Sequence, residues 1–203
     1  GKRFLALMKK KTKPIIILKA GKSKKGIQSV QSHTGNLAGD FNVYSGIFKQ
    51  FGIVNAETVN ELVDFCKASL LKPIKSATII TNGGGYGILL SDFFEKYNIP
   101  VKDIAEKTKN ILKKNLPYGV SLKDPFDLMG DADAGRFLET IKLTQKETDT
   151  FVIVLLGQTP ALTKDTVEKL LEGISKIKNQ FVFLSTMKAY TKIISKKGFC
   201  VFE

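Results

Sequence analysis

Strand-like apolar runs alternate with helix-like segments along the whole chain, and this alternation limits the folds open to it. Short apolar runs at residues 15–18, 77–81 and 151–156 are separated by longer segments whose apolar residues recur at helical spacing. Strands that alternate with helices are typical of βαβ units, in which the strands pair in parallel. The sequence therefore predicts a parallel α/β fold.

The stretch LKPIK at residues 71–75 interrupts this alternation and predicts a boundary between two units. Residues 1–72 hold one partial α/β unit, with a helix at 2–12, a strand at 15–18, and a helix that begins after Asp40 and ends at Gly52. Residues 76–203 hold a nearly complete unit. Its predicted strands are 77–81, 151–156, 181–185 and 199–202, and its predicted helices are 88–97, 104–115, 135–145, 163–178 and 189–197.

The chain is strongly basic, with 32 Lys and Arg against 19 Asp and Glu and a net charge of +13. The excess is concentrated in the first 30 residues, which contain no acidic residue. Such a stretch either faces nucleic acid or another polyanion, or is a solvated lysine surface. Lysine greatly outnumbers arginine, whereas specific binding of bases and phosphates usually relies on arginine. The composition therefore favours a solvated lysine surface.

No apolar run approaches the roughly 20 residues that a membrane span needs. The basic N-terminal stretch is not followed by a signal-peptide pattern. Cys66 and Cys200 lie far apart without metal-ligand spacing, which is typical of free thiols in a reducing compartment. These features predict a cytoplasmic protein that neither enters a membrane nor binds nucleic acid.

His33 is the only histidine, and it lies in the run SHTGNLAG at residues 32–39. An imidazole near neutral pH is a competent nucleophile, and a glycine-rich turn leaves little backbone in the way of a visiting group. The alternative from the residues alone is a surface histidine without a role.

A second candidate site is the stretch TNGGGYG at residues 81–87, which reads as a strand end, a glycine turn and a helix start. Unpaired N–H groups at a helix start attract anions, and glycine lets a phosphate approach them closely. The spacing matches neither the P-loop nor the dinucleotide fingerprint. A tight βα turn without a ligand is the alternative.

Four carboxylates occur in the stretch DPFDLMGDAD at residues 124–133. The positions do not match a calcium loop, because the glycine and the closing glutamate are misplaced. We therefore expect turn and helix-capping roles here and no metal site.

Taken in order, these motifs resemble the α-side of the NDP-forming acyl-CoA synthetases, which include the ADP-forming acetate–CoA ligases and are relatives of succinyl-CoA synthetase. The matching segments are KPIIILKAGKS at 13–23, SHTGNLAG at 32–39, TNGGGYG at 81–87 and DPFDLMGDAD at 124–133. The resemblance covers essentially the whole chain. It implies two flavodoxin-like units of the succinyl-CoA synthetase type. Residues 1–72 would be the C-terminal part of the phosphohistidine domain, and 76–203 a second, ligase-CoA-type domain.

The resemblance implies that His33 carries a phosphoryl group from an acyl phosphate to ADP, so that acyl-CoA, ADP and phosphate are interconverted with acid, CoA and ATP. Ser32, Thr34 and Gly35 would support the histidine loop. The family's phosphate-facing helix start corresponds to Gly83, Gly84, Gly85, Tyr86 and Gly87.

The family's CoA-binding Rossmann domain and ATP-grasp domain have no counterpart in these residues, nor do its first phosphate loop and the glutamate that orients the histidine. The resemblance thus implies a fragment that binds no cofactor and is inactive alone, with CoA, ADP or ATP, and Mg bound elsewhere in an oligomeric enzyme. Where the family has Asn-Pro-Val-Asp, this chain has Asp124-Pro125-Phe126-Asp127, which adds a charge. The alternative is a non-catalytic, synthetase-like regulatory region of a protein acetyltransferase, and retention of His33 argues against it.

Overall fold

The computed structural model of the chain describes residues 2–34 and 39–203. The chain divides into two compact units, Gly1–Leu70 and Leu71–Glu203. The boundary lies next to the Pro-containing stretch at residues 71–75.

The first unit contains a short parallel sheet. Its described elements are α1 (Lys2–Lys9), β1 (Ile16–Leu18), α2 (Lys24–Thr34), α3 (Phe41–Gln50), β2 (Val54–Ala56) and α4 (Val59–Ala68). Strands β1 and β2 pair in parallel, with Ile16 opposite Val54. Met8, Phe48 and Ile53 form a small buried cluster, and partly buried apolar residues from α1, α3 and the start of β1 surround it. As predicted, the Asp40 carboxylate caps α3 by accepting a hydrogen bond from the Asn42 N–H at 2.7 Å.

The second unit is a five-stranded, entirely parallel sheet with its connecting helices. Its elements are β3 (Ala77–Thr81), α5 (Gly84–Lys96), α6 (Glu106–Asn115), β4 (Phe126–Asp127), α7 (Ala134–Thr144), β5 (Thr150–Leu155), α8 (Lys164–Ile174), β6 (Gln180–Ser185), α9 (Lys188–Lys196) and β7 (Cys200–Phe202). The strand order across the sheet is β4-β3-β5-β6-β7. Counted within the unit this is 2-1-3-4-5, the flavodoxin-like order.

The residues of the central strands are buried on both faces, as in other parallel sheets covered by helices. One face packs against α6, α7, α8 and α9, and its strand residues include Ile80, Phe151, Ile153 and Phe183. The other face is smaller, and Phe94 of α5 packs there with Ile79 and other strand residues. The continuous apolar runs that predicted these strands are therefore the residues that fill two cores.

The structure confirms the parallel α/β class and most of the predicted elements within a few residues. Two local predictions were wrong. Residues 32–34 of the predicted histidine loop belong to a helix over 24–34, and α5 begins at Gly84 rather than at Ile88. The structure also has a short edge strand, Phe126–Asp127, that the sequence did not predict. Among the described helices, none has the length and apolar character that crossing a membrane requires.

Candidate functional site

The glycine-rich segment follows the carboxyl end of β3 and starts α5. Gly83 is the residue before the helix, and no side chain caps the helix start. The Gly83 N–H donates to Thr81 Oγ1 at 2.9 Å, and the Tyr86 N–H donates to the Gly83 carbonyl at 3.2 Å. Within the described part of the chain, the N–H groups of Gly84 and Gly85 have no acceptor. They are free donors at the positive end of a helix dipole.

Three of the four glycines are required by their neighbours. A side chain at Gly83 would overlap Leu156, one at Gly84 would meet the Asp127 carboxylate at 2.5 Å, and one at Gly87 would meet the Pro125 ring at 2.7 Å. Gly85 differs, because a Cβ there would have no atom within 4 Å and the residue is exposed. The helix start is thus closed on the protein side and open at Gly85.

Asn82 holds this segment to the loop after β5. Its amide donates to the Leu156 carbonyl at 3.1 Å and to Thr159 Oγ1 at 2.9 Å, and its Oδ1 accepts from the Leu156 N–H at 2.8 Å. The side chain is almost fully buried. In the strand order of this sheet, the topological switch point lies between β3 and β5, because β4 is added on one side of β3 and β5 to β7 on the other. Ligands of such folds bind beside the carboxyl ends of the two strands at the switch point. Asn82 therefore fixes the two loops that border the crevice.

A half-open groove of about 530 Å³ lies at the carboxyl ends of β5 and β6. Val154 and Leu184 belong to these strands, and Tyr86, Gln158 and Lys188 also line the groove. The Thr186 hydroxyl donates to Gln158 Oε1 at 3.0 Å. Tyr86 was predicted as part of the phosphate turn, and it lies in the first turn of α5 and lines this groove.

The stretch at residues 124–133 lies against the glycine segment. The Asp127 Oδ1 accepts from the Met129 N–H at 3.0 Å, while its Oδ2 is the atom that faces Gly84. Asp133 caps α7 by accepting from the Arg136 N–H at 2.9 Å, and Asp131 pairs with Arg136 at 2.6 Å. These contacts are the turn and capping roles that the sequence predicted. In the parts of the chain described, no three His, Cys, Asp or Glu side chains form a group suited to a metal ion.

Asp124 has an unusual environment for a carboxylate. Its Oδ1 accepts from the Ile79 N–H at 3.3 Å, and its Oδ2 is buried without a hydrogen-bond partner among the described atoms. Burial raises the pKa of Asp124 to about 7 against the lowering effect of the Ile79 N–H, with Asp103 raising it and Lys109 lowering it by smaller amounts. A carboxyl group in this state is neutral or charged depending on small changes near neutral pH.

His33 lies in the last turn of α2 and is exposed. The Ser32 hydroxyl donates to the Ser29 carbonyl at 3.0 Å, so it is engaged with its own helix. The side chain of Thr34 and all of Gly35 lie outside the described residues. Because the carboxyl end of a helix carries partial negative charge, α2 itself does not stabilise the oxygens of a phosphoryl group on His33.

The predicted site residues fall into two sets. His33 and Ser32 belong to the first unit, and Gly83, Gly84, Gly85, Tyr86 and Gly87 belong to the second. Within the second unit the structure adds Asn82, Asp124 and Asp127, which the sequence analysis did not name as site residues. For Asn82 the available signal was its position directly after the predicted strand at 77–81.

Comparison with known proteins gives a consistent result. A family model described as the succinyl-CoA ligase like flavodoxin domain matches residues 1–69. The alpha subunit of an ADP-forming acetate–CoA ligase II from Pyrococcus furiosus is 34% identical over 179 residues, which are 86% of this chain and 39% of that protein. The chain belongs to the NDP-forming acyl-CoA synthetase family. This confirms the resemblance on which the sequence analysis relied.

Two further relatives are also similar to this chain. The ADP-forming 4-hydroxybutyrate–CoA ligase of Nitrosopumilus maritimus is 31% identical over 195 residues, covering 92% of this chain and 28% of that protein. The dinucleotide-forming acetyl-coenzyme A synthetase 1 of Ca. Korarchaeum cryptofilum, solved in complex with phosphate and ADP, matches with a TM-score of 0.78 and 25% identity. The match covers 100% of this chain and 46% of that one. The chain thus spans less than half the length of these relatives.

Proposed function

We propose that this chain supplies the phosphohistidine and one phosphate-binding helix start of an ADP-forming acyl-CoA ligase. The observation that carries the proposal is the uncapped start of α5, where Gly84 and Gly85 present two free N–H donors beside the β3/β5 crevice. Gly85 leaves that start open to solvent. An anion at this position receives two hydrogen bonds and the helix dipole.

The reaction proposed for the complete enzyme has three steps. Phosphate attacks the thioester carbonyl of an acyl-CoA, which forms an acyl phosphate and releases the CoA thiolate. A neutral imidazole nitrogen of His33 then attacks phosphorus, which releases the carboxylate, and the phosphohistidine finally transfers its phosphoryl group to ADP. The exposed position of His33 at the end of α2 suits a group that must meet two different partners.

Other parts of the proposed enzyme lie outside these residues. We propose a CoA-binding domain, an ATP-grasp domain or subunit that binds ADP or ATP with Mg, and an oligomeric assembly. The Pyrococcus relative is itself named as a subunit, and the Korarchaeum relative was solved with phosphate and ADP. The names of the relatives include both acetate and 4-hydroxybutyrate, so the proposal covers carboxylic acids as a class. Cys66 and Cys200 are present as thiols rather than as a disulfide, which supports a cytoplasmic setting.

The proposal is tested on the complete protein that contains this chain. Incubation with radiolabelled ATP and Mg²⁺ is expected to give an acid-labile label that peptide mapping places on His33. The His33→Ala variant is expected to lose both the label and the overall activity. Gln31→Ala is the matched control, because Gln31 is exposed on the same helix and has no proposed role. A label on another residue, or an active His33→Ala enzyme, contradicts the proposal.

A further inference from the structure

The segment at residues 124–127 packs against the start of α5. Pro125 packs against Gly87, and the Asp127 carboxylate packs against Gly84, so residues 125 and 127 contact both ends of the first helical turn. Between them, Phe126 is fully buried and pairs with Ile80 of β3. The position of this segment therefore sets the position of the free N–H donors.

Asp124 anchors the beginning of this segment to β3. Regular pairing of β3 with β4 begins at Ile80 and Phe126, so the Ile79 N–H lies just before it. The Asp124 side chain accepts the hydrogen bond from that N–H, which extends the attachment by one residue. The second carboxyl oxygen is buried and has no partner among the described atoms. A neutral acid tolerates this position much better than a carboxylate does, because an unpaired buried charge is costly.

The charged groups around Asp124 do not neutralise it. Asp103 and Lys109 are the charged groups that act on it. The Lys109 ammonium is already paired with Asp103 at 2.7 Å and with Glu106 at 3.3 Å, and Asp103 itself disfavours a second negative charge. Neither β3 nor the first turn of α5 contributes a cation, since their residues are uncharged.

We propose that Asp124 is a positioning residue that holds the start of α5 in its anion-binding geometry as a neutral carboxylic acid, and that ionisation of Asp124 loosens this support. The phosphate-binding measurement that tests this inference rests on the proposed function, in which the start of α5 binds phosphate. A protonated acid and an amide have similar shapes and each offers an acceptor and a donor, so Asn is the conservative replacement that tests this role.

The pH dependence has a definite sign. The pKa of Asp124 in the folded chain lies above its ordinary value, so its contribution to stability is complete at low pH and is lost as pH rises through about 7. We expect amides at residues 83–87 to exchange faster, and phosphate to bind more weakly, on the alkaline side of this range. Asn at position 124 cannot ionise and is expected to remove both effects.

The test compares wild type, Asp124→Asn and Asp92→Asn in the complete protein, with inorganic phosphate as the probe. Asp92 is an exposed carboxylate on α5 and serves as the matched control. Calorimetric affinities near pH 6 are expected to agree for all three. Near pH 8, Asp124→Asn is expected to bind phosphate severalfold more tightly than the other two. Because phosphate itself titrates in this range, the ratio between variants is the readout.

A constant ratio of affinities across pH overturns the inference. Complete absence of phosphate binding at every pH contradicts the proposed function instead. In that case the inference is decided by hydrogen exchange at residues 83–87 and by the unfolding free energy, both compared between wild type and Asp124→Asn. A carboxyl NMR titration of Asp124 in the wild type is independent of any variant, and a midpoint at the ordinary aspartate value also overturns the inference.

Discussion

Gly85 is the glycine of the α5 start whose identity the protein's own packing does not require. Its three neighbours, Gly83, Gly84 and Gly87, each face an atom that a side chain would strike, whereas Gly85 faces open space. A glycine in a helix is costly relative to alanine. The absence of an internal reason for that cost supports a role in the close approach of a ligand.

Replacing Gly85 by alanine is therefore expected to separate stability from binding. The Gly85→Ala chain should gain about 0.5–1 kcal/mol in unfolding free energy, since alanine is the better helix former. Phosphate affinity should fall by roughly tenfold, or about 1.4 kcal/mol, because a methyl group obstructs the approach to the free N–H donors. Urea unfolding and calorimetry measure the two quantities.

Gly84→Ala is the matched control for this change. Its new methyl group would lie 2.5 Å from the Asp127 carboxylate, so it should lose about 1–3 kcal/mol of stability instead. If Gly85→Ala also destabilises the chain, the fold itself requires glycine at this position, although no atom lies within 4 Å of a Cβ there. If it binds phosphate as the wild type does, the open approach is not used.

At the scale of elements, the histidine motif and the glycine motif both lie partly inside helices, where the sequence predicted a loop and a turn. The sequence placed His33 on a loop, but α2 extends through it to Thr34 and so puts its negative end at the histidine. The sequence placed the glycines in a turn, but Gly84, Gly85 and Gly87 lie inside α5. Glycine lowers the helix propensity of a segment. Here Asp127 packs against Gly84 and Pro125 packs against Gly87, and these contacts favour the helix.

The starts of β3 and β5 are joined by one carboxylate. Asp149 accepts hydrogen bonds from the Ser76 N–H at 2.6 Å, the Ser76 hydroxyl at 2.9 Å and the Lys75 N–H at 3.1 Å. Burial raises the pKa of Asp149, but these hydrogen bonds outweigh it and keep the pKa below the ordinary value. The contribution to stability is thus present above the ordinary pKa and is lost as pH falls below it.

Asp149→Ala is expected to cost roughly 2–3 kcal/mol at neutral pH, because it leaves several donors without their charged acceptor. The difference from the wild type should shrink in acid, where Asp149 of the wild type becomes protonated. Urea unfolding at pH 7 and pH 3 measures both values. Asp165→Ala is the control, since Asp165 forms an exposed ion pair with Lys169 and such pairs contribute little to stability. A difference that stays constant with pH contradicts this account.

At the scale of the whole molecule, the two units differ in how much core they contain. Leu71–Glu203 has a five-stranded sheet with apolar clusters on both faces, whereas the described residues of the first unit form a two-stranded sheet and a cluster of three buried residues. Buried apolar area is the main favourable term in folding, and small units bury less of it.

We therefore expect residues 71–203, expressed alone, to fold and to unfold in a single cooperative transition. Residues 1–70 expressed alone are expected to show helical content without a cooperative transition. Circular dichroism during thermal and urea unfolding distinguishes the two behaviours. A non-cooperative 71–203 fragment, or a cooperative 1–70 fragment, would show that burial within each unit does not decide its stability.

The sequence by itself determined the fold class, the approximate elements and the family. Apolar runs and helical periodicity are local properties, so they can be read without knowing which segments meet, and the motifs at 13–23, 32–39, 81–87 and 124–133 are local as well. Asp40 and Asp133 illustrate this, since a cap acts on donors only two or three residues away.

Only the tertiary structure decided what each glycine is for and how Asp124 behaves. Leu156 and Pro125 lie tens of residues from the glycines they contact, and the Ile79 N–H is equally distant in sequence from Asp124. The strand order β4-β3-β5-β6-β7 creates these neighbours and places Asn82 beside the crevice. Burial and hydrogen-bond partners depend on contacts distant in the chain, so no local pattern contains them.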